Sequence, residues 1–195
     1  TISQLAYIVL GAALANGLGI MGGSMHIAMH AFGKITLFFC AGAIMVASHK
    51  TEISEMDGLG RVMPITFVAF LIGALSVIGL PPLGGSWSKW YLMLSSVEAG
   101  YTIFLIVFMV SSLLNIAYLM PVVARGFFSN PKPSLSTHDD HSENIGFWHS
   151  LQIGSIKEAP PFCLLAMTLS SIGCIVLFIY ADNIYQLLAP IAGMK

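Results

Sequence analysis

GLPPLGGSWSKW, residues 79–90, interrupts a long apolar region with two prolines, three glycines and a lysine. The apolar region around it runs from Pro64 to Val97. As one helix it would be about 50 Å long, whereas the hydrocarbon core of a bilayer is about 30 Å thick. We therefore predict either a hairpin of two helices or one membrane crossing that is broken in its middle. The break comprises Gly79, Pro81, Pro82, Gly84 and Gly85.

The composition of the whole chain is that of an integral membrane protein. Of its 195 residues, 56% are hydrophobic and 9% are charged, whereas about a quarter of the residues of a soluble domain are charged. The formal net charge is −1, and no basic run points to a nucleic acid. The chain begins directly in an apolar segment, and the sequence predicts no signal peptide in it. We expect it to be part of a longer chain that extends on its N-terminal side.

Four further segments are apolar enough to cross a bilayer as helices, which takes about 20 residues each. The first two are joined by the glycine pair at residues 22–23. The predicted spans are residues 2–21, 24–48, 101–123 and 160–181.

The distribution of basic residues indicates how often residues 64–97 cross the membrane, because cytoplasmic loops are enriched in Lys and Arg. Two crossings would divide the basic loop residues three against three, whereas one crossing places five on one side and only Lys195 on the other. The five are Lys50, Arg61, Arg125, Lys132 and Lys157. The sequence therefore predicts an all-α, polytopic transmembrane bundle of five crossings, one of them broken. Loops 49–63 and 124–159 would be cytoplasmic and the C-terminus would lie outside.

MHIAMHAFGK, residues 25–34, places His26, His30 and Lys34 at intervals of four residues. Successive members are rotated by only about 40° around a helix and lie about 6 Å apart along it, so all three share one face. A lysine at bilayer depth costs at least ~2.5 kcal/mol, which argues for a function. Three titratable groups at this spacing could relay a proton through intervening water. The alternative is that each histidine is an interior residue hydrogen-bonded to a neighbouring helix.

Lys89 follows the helix break by about one turn. A break exposes backbone carbonyls and amides, which a membrane tolerates only where protein or water satisfies them, and it creates half-helix ends that can hold ions. We predict that Lys89 is a buried amine that exchanges protons, with Ser88 as a supporting polar residue. The alternative is a packing kink from which Lys89 reaches the membrane interface, as Trp87 and Trp90 would allow.

The sequence contains no motif for a haem, an iron–sulfur cluster or a nucleotide, and no metal site is predicted. The histidine face carries no carboxylate or cysteine that would complete a metal site. Cys40, Cys163 and Cys174 lack CxxC spacing and are expected to be buried thiols. The histidines of the polar loop, His138, His141 and His149, are expected to be solvated. Asn115 is expected to form a hydrogen bond between helices.

Two stretches resemble the proton-translocating antiporter-like membrane subunits. HIAMHAFGKITLFFCAGAI, residues 26–44, is similar to their pattern H-x3-H-A-x2-K-x2-L-F-x2-A-G. Residues 58–90 are similar to their next segment, in which a GL…MP opening leads to a proline break and then to a lysine or glutamate. The family includes subunits of Mrp Na⁺/H⁺ antiporters, the large antiporter-like subunits of respiratory complex I, and subunits of membrane-bound hydrogenases. The resemblance covers roughly residues 1–128.

The resemblance implies a fold of two inverted repeats, each with a broken helix and a half-channel for protons. Residues 1–124 would form most of the second repeat, residues 125–159 a cytoplasmic loop, and residues 160–195 a further membrane helix with an outer C-terminus. By motif match, Lys34 would be the central lysine of the proton path, with the two histidines beside it. Lys89 would be the lysine of the exit half-channel.

The implied function is proton translocation in a multisubunit Na⁺/H⁺ antiporter of the inner (plasma) membrane, beside other membrane subunits. The stretches WSKW, SSLLN and IKEAPP most resemble the D-type subunits of Mrp antiporters. The alternatives are a proton-pumping subunit of complex I or of a hydrogenase, and a structural part that conducts nothing. Gly33 and Ser86 are smaller than the residues typical of relatives, and we expect them to leave room for water near the lysines.

Overall fold

The computed structural model describes residues 2–49, 51–129, 152–153 and 156–193. The helices are α1 (Ile2–Ala13), α2 (Gly17–Ser48), α3 (Leu59–Val62), α4 (Pro64–Ile78), α5 (Gly85–Glu98), α6 (Thr102–Phe128), α7 (Pro161–Ile179) and α8 (Ala181–Leu188). A short 3₁₀ helix, Ile53–Glu55, precedes α3, and the two-residue strands β1 (Gln152–Ile153) and β2 (Ile156–Lys157) pair antiparallel. Residues 130–151 of the predicted polar loop, with Lys132 and the loop histidines, lie outside the described residues.

The predicted all-α transmembrane class is confirmed. Among the described residues, α2, α6 and α7 are long and apolar enough to cross a membrane, and α1 and α4 are shorter apolar helices. The predicted break is confirmed as well, since α4 ends at Ile78 and α5 begins at Gly85. With α4 and α5 taken as one broken passage, the described part of the chain contains five passages, although α1 has only 12 residues.

Contacts at the helix ends show that α4 and α5 together pass through the bundle once. At the start of α4, the backbone amide of Ile65 donates to the carboxylate of Glu158, which lies just before α7. At the end of α5, the Asn16 amide at the start of α2 donates to the backbone carbonyl of Ser95. The other end of α2 packs with Met63 and Ala159. Because α2 is one continuous helix of 32 residues, α4 must begin at one face of the bundle and α5 must end at the other.

The boundary between the first two helices differs from the prediction. It lies at residues 14–16 rather than at the glycine pair 22–23. Asn16 caps α2, since its side chain accepts a hydrogen bond of 2.8 Å from a backbone amide in the first turn. Gly22 lies inside α2 against α5, where an added Cβ would be 2.9 Å from Leu92. The glycine pair therefore belongs to a region of close helix packing and not to a turn.

Two further boundaries differ by a few residues. α6 continues to Phe128, beyond the predicted end at residue 123. The last predicted span, residues 160–181, corresponds to α7, and the short helix α8 begins at its final residue. α8 folds back over the bundle, where Tyr185 stacks on Tyr91 of α5 at a centroid distance of 5.6 Å.

Replacement of Gly85 by alanine tests how closely the two half-helices approach. An added Cβ would lie 1.9 Å from the backbone oxygen of Ser76, and neither atom is on a flexible side chain. We expect Gly85→Ala to lower the free energy of unfolding by about 1–3 kcal/mol, as overpacking does. The measurement is the thermal unfolding of the purified protein in lipid nanodiscs.

Gly42→Ala is the matched control, because a Cβ at Gly42 would meet nothing within 4 Å. Alanine favours a helix over glycine by about 1 kcal/mol, so this variant should be as stable as the parent or more stable. Equal stability of the two variants would contradict the close approach of α4 and α5.

Removal of the Glu158 carboxylate tests the start of α4. Its two oxygens accept from the Ile65 amide and from the Thr66 hydroxyl, each at 2.8 Å. Glu158→Ala leaves the Ile65 amide and the buried Thr66 hydroxyl without this acceptor and should lower the free energy of unfolding by about 1–3 kcal/mol, with a smaller loss in Glu158→Gln. The exposed Glu52 supplies the control variant Glu52→Ala. A Glu158→Ala protein as stable as this control would exclude the capping role.

Candidate functional site

The ammonium group of Lys89 folds back from α5 onto the end of α4. Its Nζ donates to the backbone carbonyls of Val77 at 3.0 Å and of Ile78 at 2.8 Å. The last carbonyls of a helix have no partner within it and carry its partial negative charge, so the cation satisfies what the break leaves open. Lys89 is only 4% exposed. The alternative in which this lysine reaches the membrane interface is therefore wrong.

Ser112 of α6 provides the third partner of the Lys89 ammonium, with its Oγ 3.4 Å from Nζ. An ammonium has three donors, and it meets three oxygens here. A hydroxyl can both donate and accept, whereas a carbonyl only accepts. If Lys89 loses a proton, its two remaining N–H groups can stay on the carbonyls while Ser112 donates to the amine. Both protonation states can therefore be satisfied without moving the backbone.

Gly79 makes room for this arrangement. It ends α4 with φ of +87°, a conformation that favours glycine. An added Cβ would also lie 2.7 Å from Cδ of Lys89. The glycine thus serves both the turn and the path of the lysine side chain.

His26 lies in the interior between α1, α2 and α5, and it is only 2% exposed. Its Nδ1 lies 2.9 Å from the Ser88 hydroxyl, and its Nε2 lies 3.1 Å from Oε1 of Gln4. Ser88 Oγ also lies 3.1 Å from the carbonyl of Gly85, to which it can donate. Because Ser88 directly precedes Lys89 in the chain, this hydroxyl links the histidine helix to the second half-helix.

His30 and Lys34 continue the histidine face towards the surface of the described bundle. The rings of His26 and His30 stack at 5.8 Å with an interplanar angle of 5°. Nδ1 of His30 is buried and has no hydrogen-bond partner among the described residues. Nζ of Lys34 lies 4.9 Å from the ring centre of Phe38, a side chain that is 60% exposed. The structure thus brings His26, Ser88 and Lys89 together and leaves Lys34 nearer the edge.

Tyr7 of α1 is a site residue that the sequence reasoning missed. Its ring centre lies 5.3 Å from Nζ of Lys89 and 5.6 Å from the His26 ring. Its hydroxyl donates to Ser111, the neighbour of Ser112. The ring therefore lies beside both titratable groups, and its face can stabilise the ammonium.

The sequence reasoning also missed Gln4, although the spacing of residues in α1 indicated both Gln4 and Tyr7. Gln4, Tyr7 and Gly11 are spaced by three and four residues and are the buried positions of α1. Two polar side chains and a glycine on one face of an apolar helix indicate a packed polar interface. The prediction for this segment used its hydropathy alone and not the residues of its separate faces.

Two smaller expectations need correction. The Asn115 side chain accepts from Tyr118 of the same helix at 2.8 Å, and its amide nitrogen has no partner among the described residues. The described bond of Asn115 is thus within α6 and not between helices. Gly33 lets α4 approach closely, since a Cβ there would lie 3.1 Å from Val77. Its small size serves helix packing rather than an open space for water.

No group of three or more His, Cys, Asp or Glu side chains suited to a metal ion occurs within the part of the chain that the structure describes. Cys40 and Cys174 are buried free thiols, and Cys163 is half-buried. The side chains around Lys89 and His26 supply amine, imidazole, hydroxyl and amide groups, beside the backbone carbonyls at the end of α4. Such a set can hold and pass protons.

Comparison with solved structures finds the same fold in multisubunit membrane complexes. A chain of the Mrp complex from a Dietzia species superposes with a TM-score of 0.79 at 24% identity, over 98% of this chain and 40% of that one. A chain of the membrane-bound sulfane sulfur reductase, an archaeal respiratory membrane complex, superposes with a TM-score of 0.73 at 26% identity. That match covers 91% of this chain and 26% of the other.

Comparison of sequences adds a more similar relative. NADH-quinone oxidoreductase subunit N of Desulforudis audaxviator is 41% identical over 134 residues, which are 68% of this chain and 27% of the relative. The chain thus spans between about a quarter and two fifths of the length of these relatives. The family model described as "NADH:quinone oxidoreductase/Mrp antiporter, TM" matches residues 1–115. The chain is therefore a member of this family of antiporter-like membrane subunits.

Proposed function

We propose that this chain is a proton-translocating part of a membrane subunit in a multisubunit monovalent cation/H⁺ antiporter. The observation that carries the proposal is the environment of Lys89. A buried ammonium meets two fixed carbonyls and one hydroxyl that can reverse its hydrogen bond. A group that can gain and lose a proton without leaving an unsatisfied partner is suited to repeated exchange.

In this proposal protons move through His26, His30, Lys34 and Lys89 with bound water between them. Helices α1 to α6 act as most of the second antiporter-like repeat, and the chain between α6 and residue 159 lies on the cytoplasmic side. Residues 160–195 supply the additional membrane helix and an outer C-terminus. Neighbouring membrane subunits couple the protons to Na⁺ in the inner (plasma) membrane. The Mrp-like fold supports the antiporter context, as do the WSKW and IKEAPP stretches.

A second candidate is a proton-pumping subunit of an NADH:quinone oxidoreductase or a membrane-bound hydrogenase. The 41% identity to a quinone oxidoreductase subunit favours it. The same lysines and histidines would then move protons that a redox reaction drives elsewhere in the complex.

The two contexts differ in what drives the protons. The native complex in proteoliposomes would show proton movement in response to an imposed Na⁺ gradient in the antiporter context. It would show proton movement on addition of a reductant and a quinone, without a Na⁺ requirement, in the redox context.

Substitution of the two lysines tests the shared proton path. Lys89→Ala and Lys34→Ala should each lower proton-coupled transport of the native complex by about 100-fold or more, as removal of a proton-transfer group does. Assembly should survive, which size-exclusion chromatography of the purified complex would check. Arg125→Gln replaces an exposed cation at the end of α6 and is the control. Normal transport in both lysine variants would exclude the proposal.

A further inference from the structure

The two ring nitrogens of His26 have different kinds of partner. Nε2 lies 3.1 Å from the amide oxygen of Gln4, and Nδ1 lies 2.9 Å from the hydroxyl of Ser88. All three side chains are buried, with exposed fractions of 2% or less. In such an interior an unpaired polar group is costly, so these partners decide where the imidazole carries its hydrogen.

The oxygen of Gln4 can only accept a hydrogen bond. With the amide oxygen of Gln4 facing the ring, Nε2 of His26 carries a hydrogen whether the ring is neutral or charged. In this orientation the amide nitrogen of Gln4 is buried and has no partner among the described residues. The nitrogen that gains and loses a proton is then Nδ1. In the neutral ring Nδ1 accepts from Ser88, and in the charged ring it donates to Ser88.

The Ser88 hydroxyl can follow either state because it has a second acceptor. Its single hydrogen points to His26 when the ring is neutral. When Nδ1 is protonated, that hydrogen can turn to the carbonyl of Gly85, which lies 3.1 Å from Oγ. The direction of the Ser88 hydrogen bond therefore depends on the charge of His26. Ser88 lies in α5 directly before Lys89.

Other groups around His26 do not compete for either nitrogen. Tyr7 presents its ring to the histidine in an edge arrangement and directs its hydroxyl to Ser111. His30 stacks face to face, so its nitrogens are not aligned with those of His26. Lys89 and His30 are the other ionisable groups near His26, and their described contacts do not occupy its ring nitrogens. The hydrogen bonds of the ring are those to α1 and α5.

We propose that Gln4 is a positioning residue that holds His26 in the Nε2–H tautomer, so that His26 exchanges its proton at Nδ1, on the side of Ser88 and the broken helix. Gln4 does not itself carry the proton. The effect on transport rests on the proposed proton-translocating function, whereas the tautomer is a property of the folded protein alone.

The tautomer can be observed directly by ¹⁵N NMR of histidine-labelled native complex in lipid, with His26→Gln used to assign the signal. The neutral His26 ring should carry its hydrogen on Nε2. Gln4→Leu removes the acceptor and should give a mixture of tautomers. Gln4→Glu keeps an acceptor oxygen and should restore the Nε2–H form. Gln186→Leu is the control, because Gln186 is an exposed residue of α8 that bonds to Asp182.

Proton-coupled transport gives the second readout. Loss of one hydrogen bond to the neutral ring should lower transport in Gln4→Leu by about fivefold, and the pH profile should shift because both nitrogens can then exchange. Gln4→Glu should recover much of the rate. If Gln4→Leu does not assemble, Ser88→Ala tests the same arrangement, because Gln4 should still hold the Nε2–H tautomer when the partner of Nδ1 is lost.

Three results would overturn the proposal. The first is an Nδ1–H tautomer in the parent protein, which would mean that Gln4 turns its amide nitrogen to His26. The second is a tautomer that does not respond to Gln4→Leu, and the third is a changed tautomer with an unchanged pH profile of transport. Failure of the proposed function is distinguishable, since normal transport in the two lysine variants would exclude that function without altering the NMR result.

Discussion

The structure depends on how the free backbone carbonyls at the break between α4 and α5 find hydrogen-bond donors in an apolar surrounding. The end of α4 leaves backbone carbonyls that lipid tails cannot satisfy, so protein or water must supply the donors. The Lys89 ammonium fills this need with bonds of 2.8 and 3.0 Å. Two nearby glycines make that contact possible. Gly85 lets the second half-helix approach Ser76, and Gly79 lets the lysine side chain pass.

Charged side chains of opposite sign, from outside α4, bind to its two ends. The Glu158 carboxylate accepts from an amide in its first turn, and the Lys89 ammonium donates to carbonyls in its last turn. Each charge has the sign that the helix dipole favours at that position. Glu158 and Lys89, which are more than 60 positions apart in the chain, thus hold the 15 residues of α4 in place.

Part of this arrangement could be predicted from sequence. A break in a membrane span frees backbone carbonyls that need a donor, and a lysine beside the break can supply one. The four-residue spacing of His26, His30 and Lys34 placed them on one helix, and they lie on α2. The partners of these groups could not be predicted, since Gln4 and Tyr7 meet them only through packing of α1. The glycine pair at 22–23 was misinterpreted because glycine permits both a turn and a close helix contact, and the decisive cap was Asn16.

Lys89 and His26 have the same kinds of hydrogen-bond partner, although one is an amine and the other an imidazole. Each has partners that can only accept a hydrogen bond, the carbonyls of α4 for Lys89 and the Gln4 oxygen for His26. Each also has one serine hydroxyl, which can accept or donate. The fixed acceptors hold the group in position, and the hydroxyl adapts to its charge. Because a hydroxyl rotates without displacing the backbone, a proton can arrive or leave while the helices stay packed.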